Sequence, residues 1–352
     1  MRFCILGDTH FGCRNDLKLF HDHFETFYTW LFDQLEKEQI NTIVQLGDLW
    51  DRRKYVNFFT LNEARRYFFD KLVEKNIKLI TLVGNHDIYW RESLDVNSSS
   101  LLLQDYIEAG NVEVYQQPTM IELGGTKIDI IPWICQSNEE EIRDYISQST
   151  ADLCAGHFEI ESFAMYRGVE SHDGLPTSLF EKYELVLSGH YHTRSEKHNI
   201  TYVGTPYEMT WQDYADPKGF HVFDTKTRKL KFTKSPFNIF VKIEYDDREE
   251  IPDVKKLPVE NCFVKVVVVS KTDMYKFDSF IQKLYNRGCY EVKIVEDISE
   301  FADGEIGEDI NLEDTMDVLS NYIDSIDTDA DKEKIKTFMK TLYIEALNME
   351  VA

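Results

Sequence analysis

The sequence contains no long apolar segment. The longest candidate run, Phe263 to Val269, is short and carries Lys265, whereas a membrane-spanning helix needs roughly 18 apolar residues. Strand-like sequence begins almost at Met1, which leaves no room for the charged and apolar regions of a signal peptide. We therefore expect a cytoplasmic protein without a membrane partner.

Cysteine is scarce and irregularly spaced. The six cysteines form no C-x-x-C pair: Cys4, Cys13, Cys135, Cys154, Cys262 and Cys289. Their spacing argues against a zinc ribbon and against a thioredoxin-like redox site. We expect reduced thiols in the core, since a reducing cytoplasm keeps such thiols free.

Positive charge is also in deficit. The chain has 39 Lys and Arg against 63 Asp and Glu, a formal net charge of −24. A protein that binds DNA without a partner protein usually has a basic face, because contacts with phosphates supply most of the nonspecific affinity for DNA. Binding of DNA would therefore have to be local, metal-assisted or supplied by a partner. The G-x-x-x-x-G-K-[ST] phosphate loop is absent too, so the chain does not hydrolyse ATP by that route.

The 352 residues are enough for two or three folding units. In residues 1–232, short aliphatic runs alternate with amphipathic stretches, which predicts α/β layering. Predicted strands are 2–6, 42–46, 77–83, 127–131, 152–155, 184–188, 201–203 and 219–223. One predicted helix carries an apolar stripe of Phe20, Phe24, Phe27, Leu31 and Leu35. A second helix is predicted around Leu61–Glu74.

The pattern changes near residue 233. Residues 233–297 predict a small α+β unit with strands at 241–245, 263–270 and 290–295 and a helix at 273–286. Residues 298–310 are acidic and predict a linker. Residues 311–352 predict two amphipathic helices, with candidate partner-binding positions Leu312, Met316, Leu319, Ile323, Phe338 and Leu342. These helices either pack back on the core or dock on a helix pair of a partner.

Polar motifs follow five of the predicted strands. In order they are Asp8-Thr9-His10, Gly47-Asp48-Leu49-Trp50-Asp51, Gly84-Asn85-His86-Asp87, Gly156-His157 and Gly189-His190-Tyr191-His192. Open α/β sheets place their ligand sites at the carboxyl ends of strands. Carboxylate, imidazole and amide oxygen suit divalent manganese, iron or zinc, and two such ions can hold and hydrolyse a phosphodiester. The preceding glycines are interpreted as sharp turns that aim each ligand at the site.

Each motif alone is a weak signal, and its histidines could be ordinary core or loop residues. All five in this order, each after a strand, are specific. The remaining histidines are assigned to the surface or core: His21, His23, His172, His198 and His221.

The motif set resembles the calcineurin-like metallophosphoesterase superfamily and, within it, the SbcD-type recombination nuclease subunits, most closely those of T-even-type bacteriophages. The resemblance extends over essentially the whole chain. It implies a β-sandwich flanked by helices in residues 1–232, a DNA-contacting capping domain in 233–297 and a helical tail. A phage-encoded member would act in the cytoplasm of the bacterial host.

The resemblance also implies residue roles. One divalent cation would be held by Asp8, His10, Asp48 and His192. The other would be held by Asp48, Asn85, His157 and His190, so that Asp48 is the bridge. His86 matches the catalytic histidine that is not a ligand and would assist the departing 3′-oxygen. Manganese is the expected metal, with magnesium as the alternative.

Asp51 marks a departure within the family. Archaeal and eukaryotic relatives carry histidine three residues after the bridging aspartate, whereas bacterial and phage members and the protein phosphatases carry aspartate. We predict that the Asp51 carboxylate accepts the other ring N–H of His86 and favours its proton-donating form.

Five basic residues lie close in sequence to this motif: Arg52, Arg53, Lys54, Arg65 and Arg66. They are either a solvated face or a patch that guides DNA, with Arg52, Arg53 and Lys54 as the candidate contacts. Nearby charge matters more than the total because salt screens distant charge.

The predicted function is a metal-dependent DNA nuclease. The resemblance implies 3′-to-5′ exonuclease action on duplex ends, endonuclease action on single strands, a homodimer, and a role in DNA recombination and repair as the nuclease subunit of an SMC-like coiled-coil ATPase complex. One alternative is a metallophosphatase or small-molecule phosphodiesterase; protein phosphatases, however, carry Asp-Arg-Gly and Gly-Asn-His-Glu at the second and third motifs. Another is an inactive scaffold, which the complete ligand set argues against.

Overall fold

A computed structural model describes residues 1–166, 169–170 and 174–295, together with Ile323, Lys332, residues 334–336 and Met339. The chain divides into two compact units, Met1–Glu296 and Asp297–Ala352. Of the predicted partner-binding positions, Ile323 is helical, and the other five lie outside the described residues: Leu312, Met316, Leu319, Phe338 and Leu342. Among the described residues, no helix has the length and apolar character needed to cross a membrane.

The described part of the first unit contains nineteen strands. In chain order they are β1 (Arg2–Leu6), β2 (Thr42–Gln45), β3 (Lys78–Leu82), β4 (Ile88–Trp90), β5 (Ser93–Asn97), β6 (Val112–Tyr115), β7 (Thr119–Leu123), β8 (Thr126–Ile131), β9 (Leu153–His157), β10 (Ala164–Tyr166), β11 (Val169–Glu170), β12 (Leu185–Gly189), β13 (Ser195–Lys197), β14 (Ile200–Tyr202), β15 (Gly219–Asp224), β16 (Lys229–Lys234), β17 (Phe240–Asp246), β18 (Phe263–Ser270) and β19 (Glu291–Val295).

Helices connect and cover these strands. They are α1 (Cys13–Asp16), α2 (Lys18–Lys37), α3 (Phe58–Ala64), α4 (Asp70–Glu74), α5 (Ser98–Leu102), α6 (Gln104–Glu108), α7 (Glu139–Gln148) and α8 (Met274–Asn286). Short 3-10 turns lie at Thr177–Phe180, Trp211–Asp213 and Val254–Lys256.

Two six-stranded sheets form the sandwich. The first has the order β16-β15-β1-β2-β3-β6, and the second has the order β13-β14-β12-β9-β8-β7. In the first, β1, β2, β3 and β6 run parallel; in the second, β14, β12, β9 and β8 do. Parallel strands of one sheet end at the same edge, so the motifs that follow them are brought together.

Apolar side chains of both sheets meet in a shared core. The cluster includes Phe3, Ile5, Val44, Leu46, Ile80, Ile128, Ile130, Leu153 and Leu187. Helices cover the outer faces: α2 buries the predicted stripe against the first sheet, and Ile142 and Ile146 of α7 pack against the second. The predicted α/β class, a β-sandwich flanked by helices, is confirmed.

The second predicted helix is interrupted. Between α3 and α4 the chain forms a π-helical turn, Arg65–Phe69, which buries three consecutive aromatic side chains, Tyr67, Phe68 and Phe69. A regular α-helix presents residues on one face only at spacings of three or four. The extra residue of a π turn changes that spacing, which periodicity in the sequence does not reveal.

The last three strands of the described residues form a separate parallel sheet of order β17-β18-β19. Helix α8 packs on it around a core that includes Tyr245, Val264, Val266, Phe277 and Phe280. A buried carboxylate ties this small unit to the sandwich, since Glu208 accepts the backbone N–H groups of Ile239 and Phe240 at 2.7 and 3.1 Å. The predicted boundary at residues 232/233 stays a prediction.

Candidate metal centre

The structure brings the predicted metal ligands into two groups at one edge of the sandwich. One group is Asp8, His10 and His192, and the other is Asp48, His157 and His190; within each, the ligand atoms lie within 4.8 Å of one another. The first sheet supplies the aspartates and His10, and the second supplies the other histidines. Only His192 is substantially open to solvent, with 39% of its side chain exposed.

The first group is held by short contacts between imidazoles and carboxylates. His10 Nε2 lies 3.1 Å from His192 Nε2, and His192 Nε2 lies 3.7 Å from Asp8 Oδ2. Asp48 Oδ2 lies 3.8 Å from His10 Nε2. The Asp48 carboxylate therefore reaches the first group from the side of the second.

The second group adds an amide oxygen. Asn85 Oδ1 lies 2.8 Å from His157 Nε2 and 3.1 Å from His190 Nδ1. Asp48 Oδ2 lies 3.3 Å from His157 Nε2. One oxygen of Asp48 is thus close to ligand atoms of both groups, which is the geometry required of a bridging carboxylate.

These distances fit a pair of divalent cations. Two donor atoms that bind one ion at about 2.1 Å and at right angles are about 3 Å apart. The contacts of Asn85 Oδ1 and the contact between His10 and His192 match that separation. Two buried carboxylates with imidazole and amide donors are also the chemistry that manganese, iron or zinc accepts.

Glycines before the ligands act mainly by leaving room. Sharp turning was expected at all of them, but only Gly47, at φ +91°, has a left-handed backbone among the glycines that precede Asp48, Asn85, His157 and His190. A Cβ on Gly84 would lie 2.2 Å from Asp48 Oδ1, and one on Gly189 would lie 2.5 Å from Asp8 Oδ1. A methyl group at either position would displace a carboxylate from the site.

Hydrogen bonds with the backbone orient three of the ligand side chains. Asp8 accepts the His190 N–H at 3.0 Å, and Asp48 Oδ1 accepts the His86 N–H at 2.8 Å. His157 Nδ1 lies 2.7 Å from the Leu46 carbonyl oxygen and donates to it, which leaves Nε2 facing the other ligands. These hydrogen bonds set the orientation of Asp8, Asp48 and His157.

Charges within the site shift several pKa values. Burial raises the pKa of Asp8 to about 7, and the nearby Asp48 charge adds to this while His157 opposes it. Burial also acts to raise the pKa of Asp48, but His157 and His86 outweigh it and the pKa is lowered. The pKa of His157 is raised to about 9, because Asp48 and Asp8 together outweigh burial. Cations would take the place of the protons that the site otherwise holds.

Asp51 contacts His86 through a different atom from the one predicted. The acceptor of His86 Nδ1 is the backbone carbonyl oxygen of Asp51, at 2.6 Å, and not its carboxylate. The carboxylate instead lies 3.6 Å from Nδ1 of His10. The sequence specified the residue but not which of its oxygens the turn presents to His86. Burial acts to lower the pKa of His86, yet the charges of Asp48 and Asp51 raise it overall.

The basic cluster beside the site is largely neutralised. Arg52 pairs with Asp16 at 2.7 Å, and Arg65 pairs with Asp105 at 3.3 Å. Arg66 is bound by two glutamates, Glu25 and Glu63, at 2.5 and 2.7 Å. The role of Arg52, Arg53 and Lys54 in DNA binding stays a prediction.

Two residues that support the ligand loops were not predicted as site residues from the sequence. Asp87 is buried and accepts the backbone N–H groups of Gly84 at 2.9 Å and Trp50 at 3.3 Å, which joins two ligand loops. Its position in the third motif was the available signal. Lys218 is buried, pairs with Asp213 at 2.6 Å and donates to the His192 carbonyl oxygen at 2.9 Å. No motif in the sequence singled out Lys218.

Comparison with known proteins gives concordant matches. The family described as calcineurin-like phosphoesterase matches residues 1–194. Exonuclease subunit 1 of Enterobacteria phage T4 is 33% identical over 98% of this chain and 99% of its own length. The DNA double-strand break repair protein Mre11 of Methanocaldococcus jannaschii is 25% identical over 99% of this chain and 96% of its own. One subunit of the nuclease SbcCD of Staphylococcus epidermidis is 24% identical over 65% of this chain and 67% of its own length.

Substitution of Gly84 by alanine should weaken metal binding. The new methyl group would overlap Asp48 Oδ1 and lie 2.4 Å from the Asp48 backbone nitrogen, so we expect manganese affinity, measured by isothermal titration calorimetry, to fall about 10- to 100-fold, with circular dichroism to verify that the variant is folded. Gly110→Ala is the control, because its Cβ meets nothing within 4 Å although its φ of +80° makes alanine strained there. Equal manganese affinity of the two variants would contradict the assigned role of Asp48.

Proposed function

The chain belongs to the calcineurin-like phosphoesterase family and, within it, to the SbcD-type nuclease subunits, and from this premise we propose that it cuts DNA with two bound divalent cations. The observation that carries the proposal is the position of Asp48, whose Oδ2 lies 3.8 Å from His10 and 3.3 Å from His157. A single carboxylate oxygen between two groups of donors suits a pair of cations that share it. We propose manganese as the metal, with magnesium as the alternative.

The residues of the chain divide the chemical work. When bound, the cations would supply Lewis-acid stabilisation of the phosphodiester and lower the pKa of an attacking water molecule. The ligands assigned to one cation are Asp8, His10, Asp48 and His192, and those assigned to the other are Asp48, Asn85, His157 and His190. The backbone N–H groups of His190 and His86 donate to the carboxylates of Asp8 and Asp48 and hold them in place.

We assign proton transfer to His86. Its Nδ1–H donates to the Asp51 carbonyl oxygen at 2.6 Å, which fixes the ring and leaves Nε2 to donate to the departing 3′-oxygen. The His86 ring lies edge-on to His10, with ring centroids 4.8 Å apart, so it borders the site without belonging to either ligand group. The Asp51 backbone is therefore the positioning element.

Two variants test the assigned roles of His86 and Asp51. His86→Ala should lower kcat for DNA cleavage by about 10²–10⁴-fold with little change in manganese affinity, because the acid is lost and the ligands stay. Asp51→Asn keeps the backbone carbonyl but removes a charge that raises the pKa of His86, so we expect a loss of kcat smaller than that of His86→Ala, about tenfold at most at saturating metal, with the decline of activity at high pH moved to lower pH. A large loss in Asp51→Asn with a small one in His86→Ala would reverse the assignment.

A phosphatase or small-molecule phosphodiesterase could use the same metal centre. We propose that the substrate is polymeric DNA. The enzyme would remove nucleotides from the 3′ ends of duplexes and cut within single strands. Two observations support it: the relatives named above are nucleases or a DNA repair protein, and a further α+β unit follows the sandwich.

End-labelled duplex and single-stranded DNA should be cleaved far faster than bis-p-nitrophenyl phosphate, because remote parts of the polymer contribute binding energy that a small diester lacks. We expect cleavage with manganese, weaker cleavage with magnesium and none with chelator, because the reaction needs the bound cations. Equal kcat/KM for the small diester and for DNA would instead favour the phosphatase alternative. The position of the label reports the polarity of cleavage.

We propose that the tail, residues 311–352, binds an SMC-like coiled-coil ATPase subunit. The absence of a P-loop in this chain and the subunit names of its relatives in phage T4 and Staphylococcus epidermidis support a partner that supplies ATP hydrolysis. Amphipathic helices with apolar positions such as Leu312 and Phe338 suit a helix-in-groove contact. Homodimerisation of the nuclease chain is proposed as well.

Removal of residues 309–352 should abolish association with the ATPase and spare metal-dependent cleavage, because the ligands all lie before residue 193. Sedimentation velocity of the mixed proteins measures the complex, and the same experiment on the isolated chain reports the dimer. A truncated chain that still co-sediments with the ATPase would show that the docking surface lies elsewhere.

A further inference from the structure

A left-handed turn follows the ligand His10 and has no role in the chemistry proposed above. Arg14, Asn15 and Asp16, the last three residues of α1, have φ values of +55°, +57° and +59°. L-residues rarely adopt this conformation in succession, because Cβ then lies close to the following carbonyl oxygen. Asparagine and aspartate accept it best, and they occupy two of the three positions. Strained backbone persists where surrounding contacts hold it, and it is concentrated at functional sites.

Contacts of the Asp16 carboxylate hold this turn. Its Oδ1 accepts the hydroxyl of buried Thr60 at 2.6 Å, and its Oδ2 accepts Nη1–H of Arg52 at 2.7 Å. Asn57, the cap of α3, lies 3.4 Å from the same Oδ2. Nη2–H of Arg52 donates to Asn15 Oδ1 at 2.8 Å, so the guanidinium binds two successive residues of the turn. The Asp16 and Arg52 side chains are 10% and 22% exposed, so solvent screens their attraction less than that of an exposed pair.

The pair of Arg52 and Asp16 acts on His86 through one peptide unit. The carbonyl oxygen of Asp51 accepts Nδ1–H of His86 at 2.6 Å. That carbonyl and the backbone nitrogen of Arg52 belong to one peptide plane, which turns as a rigid unit. The Asp51 N–H is held as well, since it donates to the Phe11 carbonyl oxygen at 3.1 Å. The loop after the first metal motif therefore holds the segment of Asp51 and Arg52 through both its backbone and its side chain.

We propose that Asp16 is a positioning residue for His86. By holding Arg52, it sets the direction of the Asp51 carbonyl group and, with it, the angle at which the His86 ring presents Nε2 to the departing 3′-oxygen. The inference rests on the proposed function, because it concerns the proton transfer assigned there to His86. It also gives the left-handed turn a role, since that backbone conformation carries the Asp16 carboxylate to Arg52.

Asp16→Asn tests the proposal, because asparagine keeps the tolerance for left-handed backbone but has no charge to bind Arg52. We expect kcat for manganese-dependent DNA cleavage to fall about 10- to 100-fold at saturating DNA, with manganese affinity changed by less than about twofold. Saturation with DNA removes any effect of the released guanidinium on KM. The control is Glu184→Gln, which breaks the ion pair of Glu184 with Arg228 just before β12, at the end of that strand opposite to His190, and should keep the wild-type kcat.

A double variant separates positioning from general damage to the site. Asp16→Asn added to His86→Ala should lower kcat by less than about twofold further, because the acid that Asp16 positions is already gone. A role in shaping the metal centre would instead multiply the two losses. An activated diester gives a second measure: p-nitrophenolate leaves without protonation, so kcat for bis-p-nitrophenyl phosphate should be nearly the same in wild type, Asp16→Asn and His86→Ala.

Three results would overturn the inference: a wild-type kcat for DNA in Asp16→Asn, fully multiplied losses in the double variant, or equal losses on DNA and on the activated diester. Circular dichroism and manganese titration verify that Asp16→Asn is folded with an intact metal centre. If it does not fold, Arg52→Lys takes its place, since lysine keeps the charge but lacks the forked N–H groups that bind Asn15 and Asp16 together, and the same three comparisons apply. A wild type that cuts no DNA refutes the proposed function, whereas a wild type and an Asp16→Asn variant that cut equally well refute the positioning role alone.

Discussion

The burial of two carboxylates, Asp8 and Asp48, within reach of the same histidines is the constraint on which the rest of the site depends. Both side chains are almost fully excluded from water, at 1% and 2% exposure. Burying a charge is costly unless it is paired and hydrogen-bonded, and two like charges add to the cost. Backbone N–H groups and the His157 imidazole compensate part of this cost. A pair of divalent cations would compensate the remainder, so the same burial that is costly for the carboxylates favours the binding of cations.

The two halves of the metal centre come from different sheets, and the core between the sheets therefore sets the distances within it. Asp8, Asp48 and Asn85 follow strands of the first sheet, whereas His157 and His190 end or follow strands of the second. Residues such as Ile5, Val44 and Leu187 hold the sheets together at close-packed density. Small changes in that packing would therefore move the carboxylates relative to the imidazoles even when every ligand residue is kept.

Charge is distributed unevenly over this acidic chain. Near the metal centre the arginines are bound by neighbouring carboxylates, so positive charge there stabilises the protein and is not left free for a polyanion. A groove between α8 and the 3-10 turn Val254–Lys256 has the opposite character, with lysines and an arginine on its rim and an exposed tyrosine. In this chain of net charge −24, positive side chains near the metal centre are thus paired with carboxylates, whereas those along α8 line a groove.

The sequence alone determined the layered α/β class, most strands to within a residue or two, and the set of motifs, because alternation, apolar periodicity and polar residues after strands are local properties. Strand 263–270 and the stripe from Phe20 to Leu35 were predictable on these grounds. Tertiary structure decided what depends on distance. Three contacts join segments that are distant in the sequence, so local sequence patterns could not predict them. His86 contacts the Asp51 carbonyl oxygen and not its carboxylate, Gly84 lacks the Cβ that would clash with Asp48, and Lys218 donates to the His192 carbonyl oxygen. The pairing of the arginines beside the site and the groove along α8 were likewise decided only by packing, because charge in a sequence does not reveal which carboxylate will lie beside it.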